Sequence, residues 1–408
     1  MNNDPNINDH NFNPNPNTDP NPNTNIGNEN SCNNGNNENS EIYTEPPVLT
    51  PREIAAGVLA DDTPEVRESK IKKCIAANGV KVRKAFSVLG FALAIILAVT
   101  YATQYLIIGV MAAIDRELTQ TLLNKMWFQI ILSSVTMYIF GMGSAYLFLT
   151  ALKKLAPPAK LEKKKLTFGK WLIILIISFG AMYTGNIIGT VFTGIVSTLL
   201  GKTVENPLVS MLNNMPLGLI ALQVVILAPI IEELVFRKLL VDRMYPYGEK
   251  AAIIISALFF GLFHGNFSQF FYAFMLGIIL SFVYLRTGNI LYTIAIHMTI
   301  NFCGSLVPML MTKLVDLEKI SAMDKEYIFS HIVPVLAYLA YTLFIYAVWI
   351  AGVVLFFVFL KKYKLNKVPL ERDGLLPASN ERMGLCCVNA GMIVSFVFCL
   401  YLMVTSLL

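Results

Sequence analysis

Apolar runs long enough to cross a lipid bilayer recur along this 408-residue chain, and they leave little choice of architecture. A membrane-crossing helix needs about 20 consecutive apolar residues. Within the hydrocarbon, only helices and closed barrels satisfy every backbone N–H and C=O. Runs near 86–111, 127–152, 171–199, 217–240, 251–266, 269–286, 290–311, 330–360 and 386–407 meet or approach that length. The expected fold is all-α, a polytopic transmembrane bundle of about 8–9 helices. The run at 251–266 is short and closes on Gly265-Asn266, so it is expected to pair tightly with the next, one of the two not crossing fully. Composition agrees: 14% of residues are charged, against about 25% in soluble domains.

Outside these runs the chain divides simply. Residues 1–47 are an Asn/Pro-rich tail of low complexity, expected to be disordered because nothing in it buries enough apolar surface to offset backbone ordering. Residues 48–84 read as short cytoplasmic helices and a basic linker, with Thr63 capping a helix that starts at Pro64. Residues 85–408 are the transmembrane bundle, with a core at about 171–311. No stretch before the first run has the apolar length of a signal peptide, so that run is expected to direct insertion itself. The six cysteines, Cys32, Cys74, Cys303, Cys386, Cys387 and Cys399, contain no CxxC pair, and neither a disulfide framework nor a zinc ribbon follows.

Charge is informative through its placement. Lysines and arginines gather before the first run, between the second and third (Lys153 to Lys170), at Lys238, Arg243 and Lys250, at Arg286, and at Lys361 to Arg372. With nine complete spans all five groups fall on one side. The bias of basic residues toward the cytoplasm then places the N-terminus inside and the C-terminus outside. Basic groups distributed in this way argue against a nucleic-acid partner.

Ionisable residues inside apolar runs are costly, about 2.5–3.5 kcal/mol each at the centre of an inserted helix, so each one requires a reason. The fourth run carries Glu232, Glu233 and Arg237. Glu233 and Arg237 are four positions apart and can pair. Glu232 is rotated about 100° from Glu233 and has no cation on its own helix face, so it is the carboxylate left for chemistry. Pro229, one turn earlier, cannot donate to the Val225 carbonyl and kinks the helix. Phe260 and His264 close the fifth run, and His297 and Asn301 lie one turn apart in the seventh.

A carboxylate, two imidazoles and an amide make a hydrolytic set. The carboxylate can deprotonate water, an imidazole can share that task or protonate the leaving amine, and N–H donors can hold an oxyanion. There is no GxSxG, no HExxH and no Ser or Cys beside a base, so covalent catalysis is the weaker reading. Zinc is the rival: Glu232, His264 and His297 would be an adequate ligand set with an open position. Two non-hydrolytic readings also stand, a non-catalytic membrane immunity or scaffold protein and a proton-coupled secondary transporter using the carboxylate.

The three motifs EExxxR (Glu232, Glu233, Arg237), FxxxH (Phe260, His264) and HxxxN (His297, Asn301), in this order, resemble the CPBP family of intramembrane proteases. That family includes the CAAX prenyl proteases of the Ras-converting-enzyme type and the Abi-like bacterial proteins. The resemblance implies an intramembrane endopeptidase in which Glu232 and His264 activate water and His297 and Asn301 form the oxyanion site, with Glu233, Arg237 and Phe260 in support. It favours a glutamate mechanism with no cofactor over the older metalloendopeptidase description. The implied substrates are membrane-associated peptides or prenylated proteins. A multi-pass protein of a bacterial plasma membrane is expected.

Overall fold

The computed structural model describes residues 49–204, 206–362 and 373–407. The expected disordered tail, with His10 and Cys32, lies outside them. Among the described residues the chain is helical, with no strand.

Seven of these helices are long and apolar enough to cross a membrane: α1 (Pro64–Ile114), α2 (Met126–Ala151), α3 (Phe168–Leu200), α4 (Leu217–Tyr247), α6 (Phe267–Thr287), α7 (Ile290–Leu314) and α8 (Ile332–Phe359). Between α4 and α6 stands α5 (Glu249–Leu262), whose 14 residues are too few. The last run forms a bent pair of helices, Ser379–Cys387 followed at 63° by α9 (Ala390–Thr405). The expected bundle of about 8–9 helices is met, among the described residues, by seven long helices, eight with the bent pair, plus the short α5.

The first helix differs from expectation. Thr63 caps it as anticipated, accepting from the Val66 N–H. From Pro64 it continues unbroken for 51 residues, so the basic set before the first apolar run is helical and continuous with the span.

The short α5 leaves the order of the basic segments undisturbed, because α5 and α6 form an antiparallel hairpin. Gly265, at φ +67°, ends one arm in a left-handed turn that side chains with a Cβ resist. Asn266 caps the other by accepting from the Gln269 N–H. At the far end of the hairpin the Arg286 guanidinium grips the Glu249 carboxylate at 2.5 and 3.3 Å. The chain thus returns to the end from which it entered, whether or not α5 reaches across.

That end collects the basic segments among the described residues. The α2–α3 loop is tied to it by Ala159 N–H on the Asp242 carbonyl and Lys164 N–H on the Thr287 carbonyl, each at 2.7 Å. The base of α1 joins it through the Phe86–Tyr247 ring contact at 6.0 Å, and the segment before α9 through the Asn78 amide on the Leu375 carbonyl at 3.0 Å.

The main core is built by α1, α2, α4, α5 and α9 around Phe86, Leu89, Leu93, Phe236, Leu240 and Phe260, all essentially inaccessible. Helix α9 approaches α1 so closely that a Cβ on Gly391 would stand 1.8 Å from the Ser87 carbonyl oxygen. A second core joins α3, α6 and α7 through Phe179, Leu280 and Ile296. Helix α5 lies between neighbours with nine of its 14 residues buried, which suits a segment that positions side chains.

Candidate active site

Helix α4 supplies two adjacent glutamates from a short α-helical stretch, Ala228–Glu233, set between two wider π-turned stretches, Ile220–Leu227 and Leu234–Val241. Such turns are rare and concentrate at functional sites.

Glu233 and Arg237 are both fully buried. Nη2 of Arg237 donates to Oε1 of Glu233 at 3.2 Å. Nε lies 3.0 Å from Oε2 but off the line of a hydrogen bond, so that half of the pair is held by charge alone. Nη1 donates to the Ser256 hydroxyl at 3.3 Å, which in turn donates to the Phe236 carbonyl at 2.8 Å. The guanidinium sits 4.8 Å from the Phe260 ring centroid, a cation–π distance. A charge removed from water this completely is tolerable only when paired and hydrogen-bonded, and this one is both.

His297 of α7 lies between the two glutamates. Its Nδ1 is 3.2 Å from Glu233 Oε1 and its Nε2 is 3.8 Å from Glu232 Oε2. A carboxylate can only accept, so Nδ1 carries a hydrogen toward Glu233. Neutralised by Arg237, Glu233 acts on His297 as an orienting acceptor. The Glu232 side chain keeps 19% of its surface exposed where Glu233 keeps none. Of the two carboxylates, Glu232 is the one open to a small molecule.

His264 comes from the end of α5. Its Nδ1 lies 2.8 Å from the Phe260 carbonyl, so this nitrogen carries the hydrogen and Nε2 is left as an acceptor. Both imidazoles stand edge-on to Phe260, His264 at 5.4 Å and His297 at 5.6 Å between ring centroids. By counting residues from the ends of the runs, His264 would lie deeper than Glu232. The structure instead brings both imidazoles against a single phenyl ring.

Asn301 donates through Nδ2 to the Val224 carbonyl of α4 at 2.9 Å. Proline at 229 is the reason that carbonyl is free, although the α-helical expectation named Val225. In the π-turned stretch Ala228 donates five residues back, to Gln223. The next carbonyl in that register is Val224, which faces Pro229, and proline has no N–H. The Asn301 amide fills the gap. Its second N–H has no acceptor among the described residues.

The seven residues singled out from the sequence thus come from α4, α5 and α7. Glu232, Glu233, Arg237, Phe260, His264 and His297 form one connected group, and Asn301 is anchored on α4 two turns away along the helix. Residues 214–303 match the family model described as Rce1-like, the type II CAAX prenyl endopeptidases. The match covers a minority of the chain and is consistent with a CPBP family intramembrane protease. Comparison with curated proteins and with solved structures returns no match.

The Rce1-like segment holds all seven residues and several that sequence reasoning passed over. Ser256 serves Arg237 from α5. Asn266, Gln269 and Tyr272 run from the α5–α6 turn along α6 toward His264, whose ring lies 6.2 Å from that of Tyr272. Outside the segment, Tyr138 of α2 accepts from Gln223 Nε2 at 3.1 Å. The signal for Gln223 and Gln269 was present in the sequence: each is a polar side chain within an apolar run.

The zinc reading needs Glu232, His264 and His297 to converge as ligands. Among the described residues no group of three His, Cys, Asp or Glu side chains has an arrangement that could hold a metal ion. Glu232 and His297 are adjacent, with Nε2 3.8 Å from Oε2, but no hydrogen bond or ion pair among the described residues joins His264 to either of them. The site does not fit a three-ligand zinc centre.

Proposed function

We propose that this multi-pass membrane protein is an intramembrane endopeptidase that hydrolyses peptide bonds with a glutamate-activated water. The observation that carries the reading is the division of labour between adjacent carboxylates. Glu233 is buried and neutralised by Arg237, while Glu232 is partly open and faces His297.

Glu232 removes a proton from a water molecule whose oxygen attacks the carbonyl carbon of the substrate. The second hydrogen of that water is held by the free Nε2 of His264. The C=O electron pair moves to oxygen, and the remaining Asn301 N–H donates to it. The tetrahedral species then collapses, the C–N bond breaks, and the proton held by Glu232 passes to the leaving nitrogen. Water adds across the peptide bond and no covalent enzyme intermediate forms. His297, held by Glu233 through Nδ1 with its Nε2 edge 3.8 Å from Glu232, is assigned to shaping the site beside that carboxylate; the resemblance alone had implied an oxyanion donor.

The match to the type II CAAX prenyl endopeptidase model supports a membrane-associated substrate. Membrane-tethered peptides are proposed, with prenylated C-a-a-X tails the first to test. The basic end of the bundle is assigned to the cytosol, since basic loops are retained on that side.

The test is cleavage of a farnesylated peptide by the full-length protein in lipid nanodiscs, wild type against Glu232→Gln. Loss of about 10²-fold or more in turnover is expected for the variant, with an unchanged melting temperature. Equal rates would remove Glu232 from the chemistry and favour a non-catalytic role.

A further inference from the structure

The hydrogen-bond polarity around the α5–α6 turn identifies one more group aimed at the site. The backbone N–H of Gln269 donates to Oδ1 of Asn266 at 3.0 Å, which fixes which end of the Asn266 amide is oxygen. Nδ2 of Asn266 must then donate, and it does, to the His264 carbonyl at 2.8 Å and to Oε1 of Gln269 at 2.7 Å. That in turn fixes the Gln269 amide, whose Nε2 donates to the Tyr272 hydroxyl oxygen at 2.7 Å. At each step one residue's donor leaves the next only one orientation.

Tyr272 therefore spends its oxygen as an acceptor and keeps its own hydrogen. That O–H has no acceptor among the described residues. The ring lies edge-on to His264 at 6.2 Å. A phenol whose oxygen is held by Gln269 and whose ring rests against His264 is a preorganised donor. Its need is plain from the rest of the site. His297 faces a carboxylate on each side, and Asn301 has given one N–H to Val224.

We propose that Tyr272 is a catalytic residue, its hydroxyl donating to the carbonyl oxygen of the scissile bond as negative charge develops there. It acts beside the remaining Asn301 N–H, and Gln269 and Asn266 are its positioning residues. The assignment rests on the endopeptidase reading above. The phenol stays protonated throughout, so it adds no proton transfer to the reaction. Tyr138 is the competing phenol, held similarly by Gln223, but nothing comparable fixes the orientation of that amide.

The experiment compares kcat and KM for wild type, Tyr272→Phe, Gln269→Glu and Tyr138→Phe on the farnesylated peptide, with Glu232→Gln in the same assay as the separate test of the endopeptidase reading. Tyr272→Phe removes only the hydroxyl and is expected to lower kcat by about 10²–10³-fold with little change in KM. Gln269→Glu keeps a bond to Tyr272 but reverses its direction, because a carboxylate must accept the phenolic hydrogen. A comparable fall in kcat with an unchanged melting temperature is expected. A purely structural link would survive that reversal, so a Gln269→Glu protein with wild-type turnover would overturn the proposal. So would a fully active Tyr272→Phe, or a loss confined to Tyr138→Phe.

Discussion

Nδ2 of Asn301 donates to the carbonyl of Val224 at 2.9 Å, on a helix that Pro229 has left one donor short. The bond ties α7 to α4 one turn beyond His297, and it couples a side chain on one helix to an imino acid on another. Replacing Pro229 with Ala restores a backbone N–H to that register and should weaken the requirement for the amide. Asn301→Ala is expected to cost less stability in the Pro229→Ala background than in wild type, by about 1–2 kcal/mol. Reversible denaturation of the four proteins of the cycle in detergent measures the difference. Strictly additive losses would mean that the carbonyl does not need Asn301.

Arg237 is the cation that neutralises Glu233. Its removal to Ala leaves a fully buried carboxylate with only the His297 imidazole, an expected loss of about 3–5 kcal/mol. Phe260→Leu keeps an apolar filler under the guanidinium and should cost less, about 1–2 kcal/mol. Melting temperatures rank the two, and a larger loss for Phe260→Leu would contradict the ion pair as the centre of the site.

Metal removal is expected to leave turnover within about two-fold of the untreated enzyme, because no water activation is assigned to a Lewis acid. Assays after 1,10-phenanthroline and EDTA treatment, with elemental analysis of the purified protein, decide it. Activity lost on chelation and restored by stoichiometric zinc would require the site to rearrange around a metal.

Orientation can be read by labelling. A cysteine placed at Ala159, in the loop that hydrogen-bonds to Asp242, is expected to react with an impermeant maleimide only after the inner face is opened. One placed at Gln120, between α1 and α2, should react in intact cells. The opposite pattern would invert the bundle.

Much of the fold was legible in the sequence because its signals are local. Apolar run length marks a span, and Thr63-Pro64 marks a helix start; both act within one segment. The spacing of Glu233 and Arg237 announced their pairing for the same reason, since four positions on a helix meet whatever surrounds it. The 251–266 run shows the limit. Its length alone did not separate a full span from a short buried arm, because that depends on the neighbours that cover it.

The relation between the glutamates lay further out of reach. Sequence left Glu232 as the free carboxylate by elimination on its own helix. That its partner is His297, 65 residues on, is a contact between helices, and nothing in the local pattern encodes it. The π-turns that shift the orphaned carbonyl from Val225 to Val224 are likewise invisible to a 3.6-residue period, since they change the hydrogen-bond register without changing which residues are apolar.

By itself, then, the sequence determined that the chain lives in lipid, that it is helical, and which few polar side chains its apolar helices must accommodate, because hydrophobic length and the cost of buried charge are properties of each segment alone. Only the tertiary structure decided which carboxylate is neutralised, which imidazole touches which oxygen, and which amide is already engaged. Those outcomes follow from distances between helices, and a hydrogen bond or ion pair formed at 3 Å is lost at 6 Å.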